Sequence, residues 1–151
     1  MILKEELIKV GLEAKDAEGA LRQVAQGFVD AGYAKETYPQ AIVDREGVYP
    51  TGLPVEAYDI AIPHCNADNL NSTAVAIATL KEPVEMRMMG DPDTVVHPRV
   101  FFMLGIAEAH SQVEMLQRVI GCIQDSDLLK QLYACKTPHE VYELMADKIG
   151  E

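Results

Sequence analysis

The rest of the chain is organised around Asp59-Ile-Ala-Ile-Pro-His-Cys65. Residues 60–62 form a short apolar run typical of a β-strand, and Pro63 ends that strand because proline has no N–H to donate to a sheet. Proline also confines the residue before it, Ile62, to extended geometry. The sequence therefore predicts that His64 leaves a stiff strand end in a fixed direction, as a reactive imidazole would need.

A strand and two helices are predicted before this stretch. Residues 7–12 have the length of a strand, and Asp16 is a good N-cap for the helix that follows. A second helix is predicted over residues 37–46, stopping at Gly47, and residues 47–58 are predicted to form an ordered loop. The buried face of the first helix, which we expect to end near Gly32, repeats at i, i+3, i+4 and i+7 and consists of Leu21, Val24, Ala25 and Phe28.

Two further strands are predicted after a polar turn over residues 66–72. Residues 73–80 have apolar or small side chains on both faces, with alanines on one face that would let a helix pack closely. Residues 100–106 form a continuous apolar run, which also indicates a strand covered on both sides. Residues 81–98, with three prolines and Gly90, are predicted to be a long connection.

The C-terminal part is predicted to be helical. Asp125 or Ser126 can cap a short helix, and Thr137-Pro-His-Glu140 is a capping box that begins the last helix. Strands and helices thus alternate along the chain, which predicts a single-domain α/β layered sandwich with helices on both faces of one sheet. Before these two helices, a helical stripe is predicted from Val113, Leu116, Val119, Ile120 and Ile123.

Composition limits the possible partners. The chain has 151 residues, 48% of them hydrophobic, which suits one domain over residues 1–151. Its formal net charge of −11 argues against nucleic acid and suits a partner with a basic patch. We expect a cytoplasmic protein without direct membrane insertion, because no apolar run is long enough for a membrane helix and no secretory signal is visible. Cys65, Cys122 and Cys135 are widely spaced, which predicts free thiols.

Two histidines are predicted at strand ends, His64 and His110, and Arg45 and Thr51 lie in or near the loop before the first. A histidine in such a place is also commonly no more than a satisfied surface or core residue. Gly-rich phosphate loops and GxSxG or HExxH patterns are absent, so a serine hydrolase is unsupported. A zinc site formed by His64, Cys65, His97 and His110 stays open by spacing but lacks a close ligand pair, and we expect neither metal nor cofactor.

The chain resembles a bacterial phosphotransferase family. Residues 60–64 (Ile-Ala-Ile-Pro-His), the runs at 73–83 and 100–106, and His110 with Leu116 downstream are similar to enzyme IIA of the phosphoenolpyruvate-dependent sugar phosphotransferase system, in its fructose, mannitol and nitrogen-regulatory superfamily. The resemblance spans nearly the whole chain and implies one type 2 enzyme IIA domain, built as a mixed sheet between helices.

That resemblance implies a phosphoryl carrier. His64 would accept a phosphoryl group from the phosphocarrier protein HPr and pass it to a cysteine of an enzyme IIB, and the membrane enzyme IIC would be contacted only indirectly. His110 and Arg45 match a second histidine and an arginine near the phosphorylated one, and donors such as these or Thr51 could stabilise the transferred charge. The long 47–58 segment resembles the galactitol branch, which implies galactitol uptake.

Two alternatives remain open from the sequence. Nitrogen-type members of the same superfamily control partner proteins through their phosphorylation state, so a regulatory role is the main rival to sugar transport. An interaction module that is never phosphorylated is the other, and the presence of both His64 and His110 argues against it.

Overall fold

The computed structural model describes residues 2–108 and 111–149 and has a mixed seven-stranded sheet at the centre of these residues. The strand order across the sheet is β1-β4-β7-β3-β2-β5-β6. Neighbours β1/β4, β7/β3 and β2/β5 run parallel, and β4/β7, β3/β2 and β5/β6 run antiparallel. The strands are β1 (Lys9–Leu12), β2 (Gly52–Leu53), β3 (Ile60–Ala61), β4 (Ala74–Leu80), β5 (Met86–Met88), β6 (Asp91–Val96) and β7 (Val100–Gly105).

Helices cover both faces of the sheet, and each side has its own apolar core. One core holds buried residues of the first two helices, and the other holds those of the last three. The predicted α/β layered sandwich is therefore confirmed. None of the helices in the described ranges is long and apolar enough to cross a membrane. The helices are α1 (Ala17–Asp30), α2 (Tyr38–Val48), α3 (Gln112–Ile123), α4 (Ser126–Ala134) and α5 (Pro138–Ile149), with short 3-10 turns at Glu5–Leu7 and Ala67–Asn69.

Strand β4 separates the two cores, and all seven of its residues are buried. Its alanines belong to the core that contains α1, and Val75 and Ile77 belong to the other. Short methyl side chains on the first face leave room for α1 to pack close to the sheet. Helix α1 begins where the sequence predicts, because the Asp16 side chain accepts a hydrogen bond of 2.8 Å from the N–H of Gly19.

The prediction of a strand-free connection over residues 81–98 is wrong. This segment contains the hairpin of β5 and β6, which turns at Gly90 with a φ of 77°. Strand β6 lies at the edge of the sheet and only its last residue, Val96, is buried. An edge strand that is exposed on both faces needs no apolar alternation, so periodicity does not reveal it.

Three boundaries also differ from those predicted. The first strand begins at Lys9 because a 3-10 turn occupies residues 5–7. Helix α2 continues through Gly47 to Val48, since this glycine keeps a helical φ. The segment at 47–58 is not entirely a loop, because it contains the short strand β2.

The predicted inner stripe of α3 is partly wrong. Val113 and Ile120 are 64% and 40% exposed, whereas Met115 and Cys122 are buried beside Val119. The helix is therefore turned relative to the predicted face, and a methionine and a cysteine supply the contacts that had been assigned to β-branched residues.

The last two helices begin as predicted. Asp125 accepts a hydrogen bond of 3.1 Å from the N–H of Leu128 at the start of α4. At the start of α5, the hydroxyl of Thr137 accepts from the N–H of Glu140 at 3.1 Å. The Glu140 carboxylate accepts from the N–H of Lys136 at 2.9 Å, one residue before the position of a standard capping box.

Candidate active site

His64 lies immediately beyond the carboxyl end of β3, beside the parallel strand β7. The N–H of Leu104 in β7 donates to the carbonyl of Pro63 at 3.0 Å, and His64 pairs with Leu104 in an isolated parallel bridge. The short strand and the proline after it thus hold the histidine in the direction that the sequence suggests.

The imidazole of His64 is half-buried and has one nitrogen already engaged. Its Nδ1 lies 2.8 Å from the carbonyl oxygen of Ile62. A carbonyl oxygen only accepts, so Nδ1 carries the proton, and in the neutral ring Nε2 keeps its lone pair. Burial lowers the pKa of His64; the bond to Ile62 opposes this effect, and the charge of Arg45 lowers the pKa further. The ring is therefore neutral at pH 7, which is the form that acts as a nucleophile.

Arg45 lies in the last turn of α2, close enough for its charge to act on His64. The same charge opposes the pKa elevation of Cys65. The guanidinium stacks on the ring of Tyr49, with Cζ 4.5 Å from the ring centroid. Tyr49 and the neighbouring Val48 are 61% and 68% exposed, which leaves an apolar surface next to the arginine.

Thr51 is buried, and its hydroxyl already has a partner. Both its Oγ1 and its backbone N–H donate to the carboxylate of Glu46, each over 2.7 Å. The backbone carbonyl of Thr51 accepts a hydrogen bond from the N–H of Ile62 at 3.1 Å. Thr51 is therefore linked to His64 through Ile62. Sequence reasoning missed Glu46, because nothing in the pattern distinguishes it from the other acidic residues.

His110 lies outside the described residues, so its role stays a prediction. The residues that follow it do approach the loop after His64: the side-chain amide of Gln112 donates to the carbonyl of Cys65 at 3.2 Å. His97, which the sequence leaves open as a zinc ligand, is exposed. His139, at the start of α5, lies 3.1 Å from a carboxylate oxygen of Glu5, and this contact raises its pKa.

All three cysteines are free thiols. Burial raises the pKa of each of them, and that of Cys65, next to the candidate nucleophile, rises to about 11. Within residues 2–108 and 111–149, no group of three His, Cys, Asp or Glu side chains could hold a metal ion.

Comparisons with known proteins point to one family. The family model described as "Phosphoenolpyruvate-dependent sugar phosphotransferase system, EIIA 2" matches residues 1–148. The galactitol-specific EIIA component of Escherichia coli K12 is 26% identical over 125 residues, which are 83% of this chain and 83% of that protein. The crystal structure of the mannitol IIA from Escherichia coli superposes with a TM-score of 0.78 at 25% identity, covering 97% of this chain and 100% of the other.

A second solved structure shows such a domain with a partner. It is the complex of mannitol enzyme IIA and phosphorylated mannitol enzyme IIB from Escherichia coli, with a TM-score of 0.74 at 25% identity over 96% of this chain and 99% of the other. The matches extend over nearly the whole chain and include the segment that carries His64. The chain belongs to the EIIA 2 family of the phosphoenolpyruvate-dependent sugar phosphotransferase system, a family of phosphoryl carriers that are phosphotransferase components.

Proposed function

We propose that this chain carries a phosphoryl group on Nε2 of His64, accepting it from HPr and passing it to a cysteine of an enzyme IIB. The observation that carries the proposal is the 2.8 Å contact between Nδ1 and the carbonyl of Ile62, which leaves Nε2 as the free nucleophilic nitrogen. Family membership supports the reaction, and the geometry favours Nε2 as the reacting atom.

The transfer step follows from this arrangement. The Nε2 lone pair forms the bond to phosphorus while the bond from phosphorus to the donor breaks, and its electron pair stays with the donor. The ring becomes positively charged as the new bond forms. The Nδ1–H bond to Ile62 then becomes charge-assisted and strengthens, so the carbonyl stabilises the phosphorylated ring. The second transfer reverses these changes toward the acceptor sulfur.

Arg45 is the charge-stabilising group of the proposal. Its guanidinium favours the neutral form of His64 before transfer, and its N–H donors suit the equatorial oxygens of the transferred phosphoryl group. His110 is kept as a second stabiliser on the resemblance alone. Thr51 has its hydroxyl directed to Glu46, which favours a supporting role in the loop over direct donation.

The partners of the proposal fit the surface beside the site. Exposed Val48 and Tyr49 beside Arg45 offer an apolar contact for HPr and enzyme IIB in turn. The net charge of −11 favours a donor with a basic face. The mannitol complex supports an enzyme IIB as the acceptor. The proposal further holds that enzyme IIC is reached only through enzyme IIB and that the exchange takes place in the cytoplasm. We propose galactitol as the transported sugar, because the chain is similar to a galactitol-specific EIIA component and its long 47–58 segment resembles the galactitol branch.

Intact-mass spectrometry after incubation with phosphoenolpyruvate, enzyme I and HPr tests the first transfer. We expect one acid-labile phosphoryl group on the wild type and on the matched control His97→Ala, and none on His64→Ala. Phosphorylation of His64→Ala to the wild-type level would refute the assignment.

The acceptor is tested by adding purified galactitol-specific or mannitol-specific enzyme IIB to the phosphorylated protein. Faster loss of phosphate to the galactitol-specific partner is the expected result. Transfer to neither enzyme IIB would favour the regulatory role, in which the phosphorylation state itself is the signal.

A further inference from the structure

Glu46 makes two hydrogen bonds to a single buried residue. Its Oε2 accepts from the backbone N–H of Thr51 and its Oε1 from the hydroxyl of the same residue, each over 2.7 Å. Thr51 is only 3% exposed. Burial raises the pKa of Glu46 while both bonds oppose that effect, so the carboxylate gives up hydration in order to hold this one residue. Two short bonds to one residue fix its backbone as well as its side chain.

Thr51 in turn holds the residue that orients the histidine. Its carbonyl accepts from the N–H of Ile62 at 3.1 Å, which continues the antiparallel pairing of Gly52 with Ala61 by one residue. This bond fixes the peptide group before Ile62. The proline that follows confines Ile62 to extended geometry. The direction of the Ile62 carbonyl is therefore set on one side by Thr51 and on the other by Pro63.

The Ile62 carbonyl is the acceptor of the Nδ1 proton of His64, at 2.8 Å. The hydrogen bonds thus form an unbroken path from the carboxylate of Glu46 through Thr51 and Ile62 to the imidazole. If Thr51 becomes more mobile, the Ile62 carbonyl, which accepts the Nδ1 proton of His64, is held less firmly.

We propose that Glu46 is a positioning residue for His64, acting through Thr51 and the Ile62 carbonyl to keep the imidazole in the Nδ1-protonated tautomer. The effect of Glu46 on phosphoryl transfer rests on the proposed function, whereas its effect on the His64 tautomer does not depend on that function. Glu46 itself never touches the phosphoryl group.

The test is ¹⁵N NMR of the His64 imidazole, which distinguishes the two neutral tautomers. The neutral hydrogen bond from Nδ1–H to the Ile62 carbonyl favours the Nδ1–H form, and loss of one such bond corresponds to a change of about 3- to 10-fold. Glu46→Ala should therefore lower the ratio of the Nδ1–H to the Nε2–H form by about that factor. Glu46→Gln should stay within about twofold of wild type, because its amide oxygen can accept from the Thr51 N–H and its NH₂ can donate to the hydroxyl. Asp44→Ala, an exposed acidic position on the same helix, is the matched control and should leave the ratio unchanged.

A second variant keeps the test decisive if Glu46→Ala does not fold. Thr51→Val removes the hydroxyl bond and keeps the N–H bond, and it should lower the ratio about 2- to 3-fold. A folded Glu46→Ala, or a folded Thr51→Val, with the wild-type ratio would overturn the proposal. So would a shift in Asp44→Ala as large as in Glu46→Ala.

Phosphorylation kinetics then separate this inference from the proposed function. At saturating phosphorylated HPr, the rate constant of Glu46→Ala should fall in proportion to the population of the Nδ1–H tautomer, which is R/(1 + R) for the measured ratio R, with little change in the half-saturating HPr concentration. If Glu46→Ala shifts the tautomer ratio but the wild-type protein accepts no phosphoryl group, the proposed function is refuted and the positioning role of Glu46 stands.

Discussion

Replacing Gly52 by alanine should destabilise the protein by a backbone clash. Gly52 lies in β2, between β3 and β5. A Cβ at this position would lie 2.6 Å from the carbonyl oxygen of Arg87 and 2.4 Å from Cγ2 of Val96. The carbonyl belongs to the neighbouring strand and cannot rotate away, while the N–H of Met89 donates to the Gly52 carbonyl at 2.7 Å and holds the two strands together.

The size of the effect follows from the cost of overpacking. Inserting one carbon into a closely packed site costs about 1–3 kcal/mol of unfolding free energy. For a chain of this length, each kcal/mol corresponds to a shift in Tm of about 2–4 °C. We therefore expect the Tm of Gly52→Ala to fall by about 2–12 °C in thermal unfolding followed by circular dichroism.

A second glycine supplies a control with the opposite sign. Gly121 is exposed within α3, and a Cβ there would have no atom within 4 Å. Gly121→Ala should raise the unfolding free energy by about 0.5–1 kcal/mol, because alanine has the higher helix propensity. The clash argument fails if Gly52→Ala unfolds within 1 °C of wild type, taken as roughly the smallest shift that matters here.

Two further predictions concern the charge of Arg45 near the His64 imidazole and the side-chain cap of α1. Arg45→Ala should raise the pKa of His64 in an NMR titration, whereas Arg87→Ala, at an exposed position, should leave that pKa unchanged. The pKa of wild-type His64 lies below the ordinary value of 6.5, so phosphoryl acceptance should decline only when the pH falls below 6.5. Asp16→Ala should cost about 1 kcal/mol in chemical denaturation, because it removes the side-chain acceptor for the N–H of Gly19, and an unchanged midpoint would contradict the capping role.

The buried parts of the fold could be predicted because burial leaves a periodic pattern. Strands β4 and β7 are apolar on both faces, and α1 has an apolar face that ends near a glycine. The hairpin of β5 and β6 escaped prediction because its outer strand is exposed. The face of α3 was misjudged because Met115 and Cys122 pack inward in place of exposed Val113 and Ile120.

The candidate site shows the same division. The position of His64 at a strand end could be foreseen, because Pro63 ends the strand and restricts the residue before it. Glu46 could not be foreseen, because its importance depends on a contact with Thr51 across the bend between α2 and β2. A sequence shows which residues are acidic but not which one folds back onto a buried threonine.

The buried thiol of Cys65 has a practical consequence for experiments on the assembled system. With a pKa of about 11, only about one such thiol in ten thousand is ionised at pH 7, and the thiolate is the species that alkylating agents and oxidants attack. Burial raises the pKa of Cys122 and Cys135 as well. A brief maleimide or iodoacetamide pulse should therefore modify a reactive cysteine on a binding partner well before it modifies Cys65. Half-reactions of the two proteins could then be followed separately in one mixture.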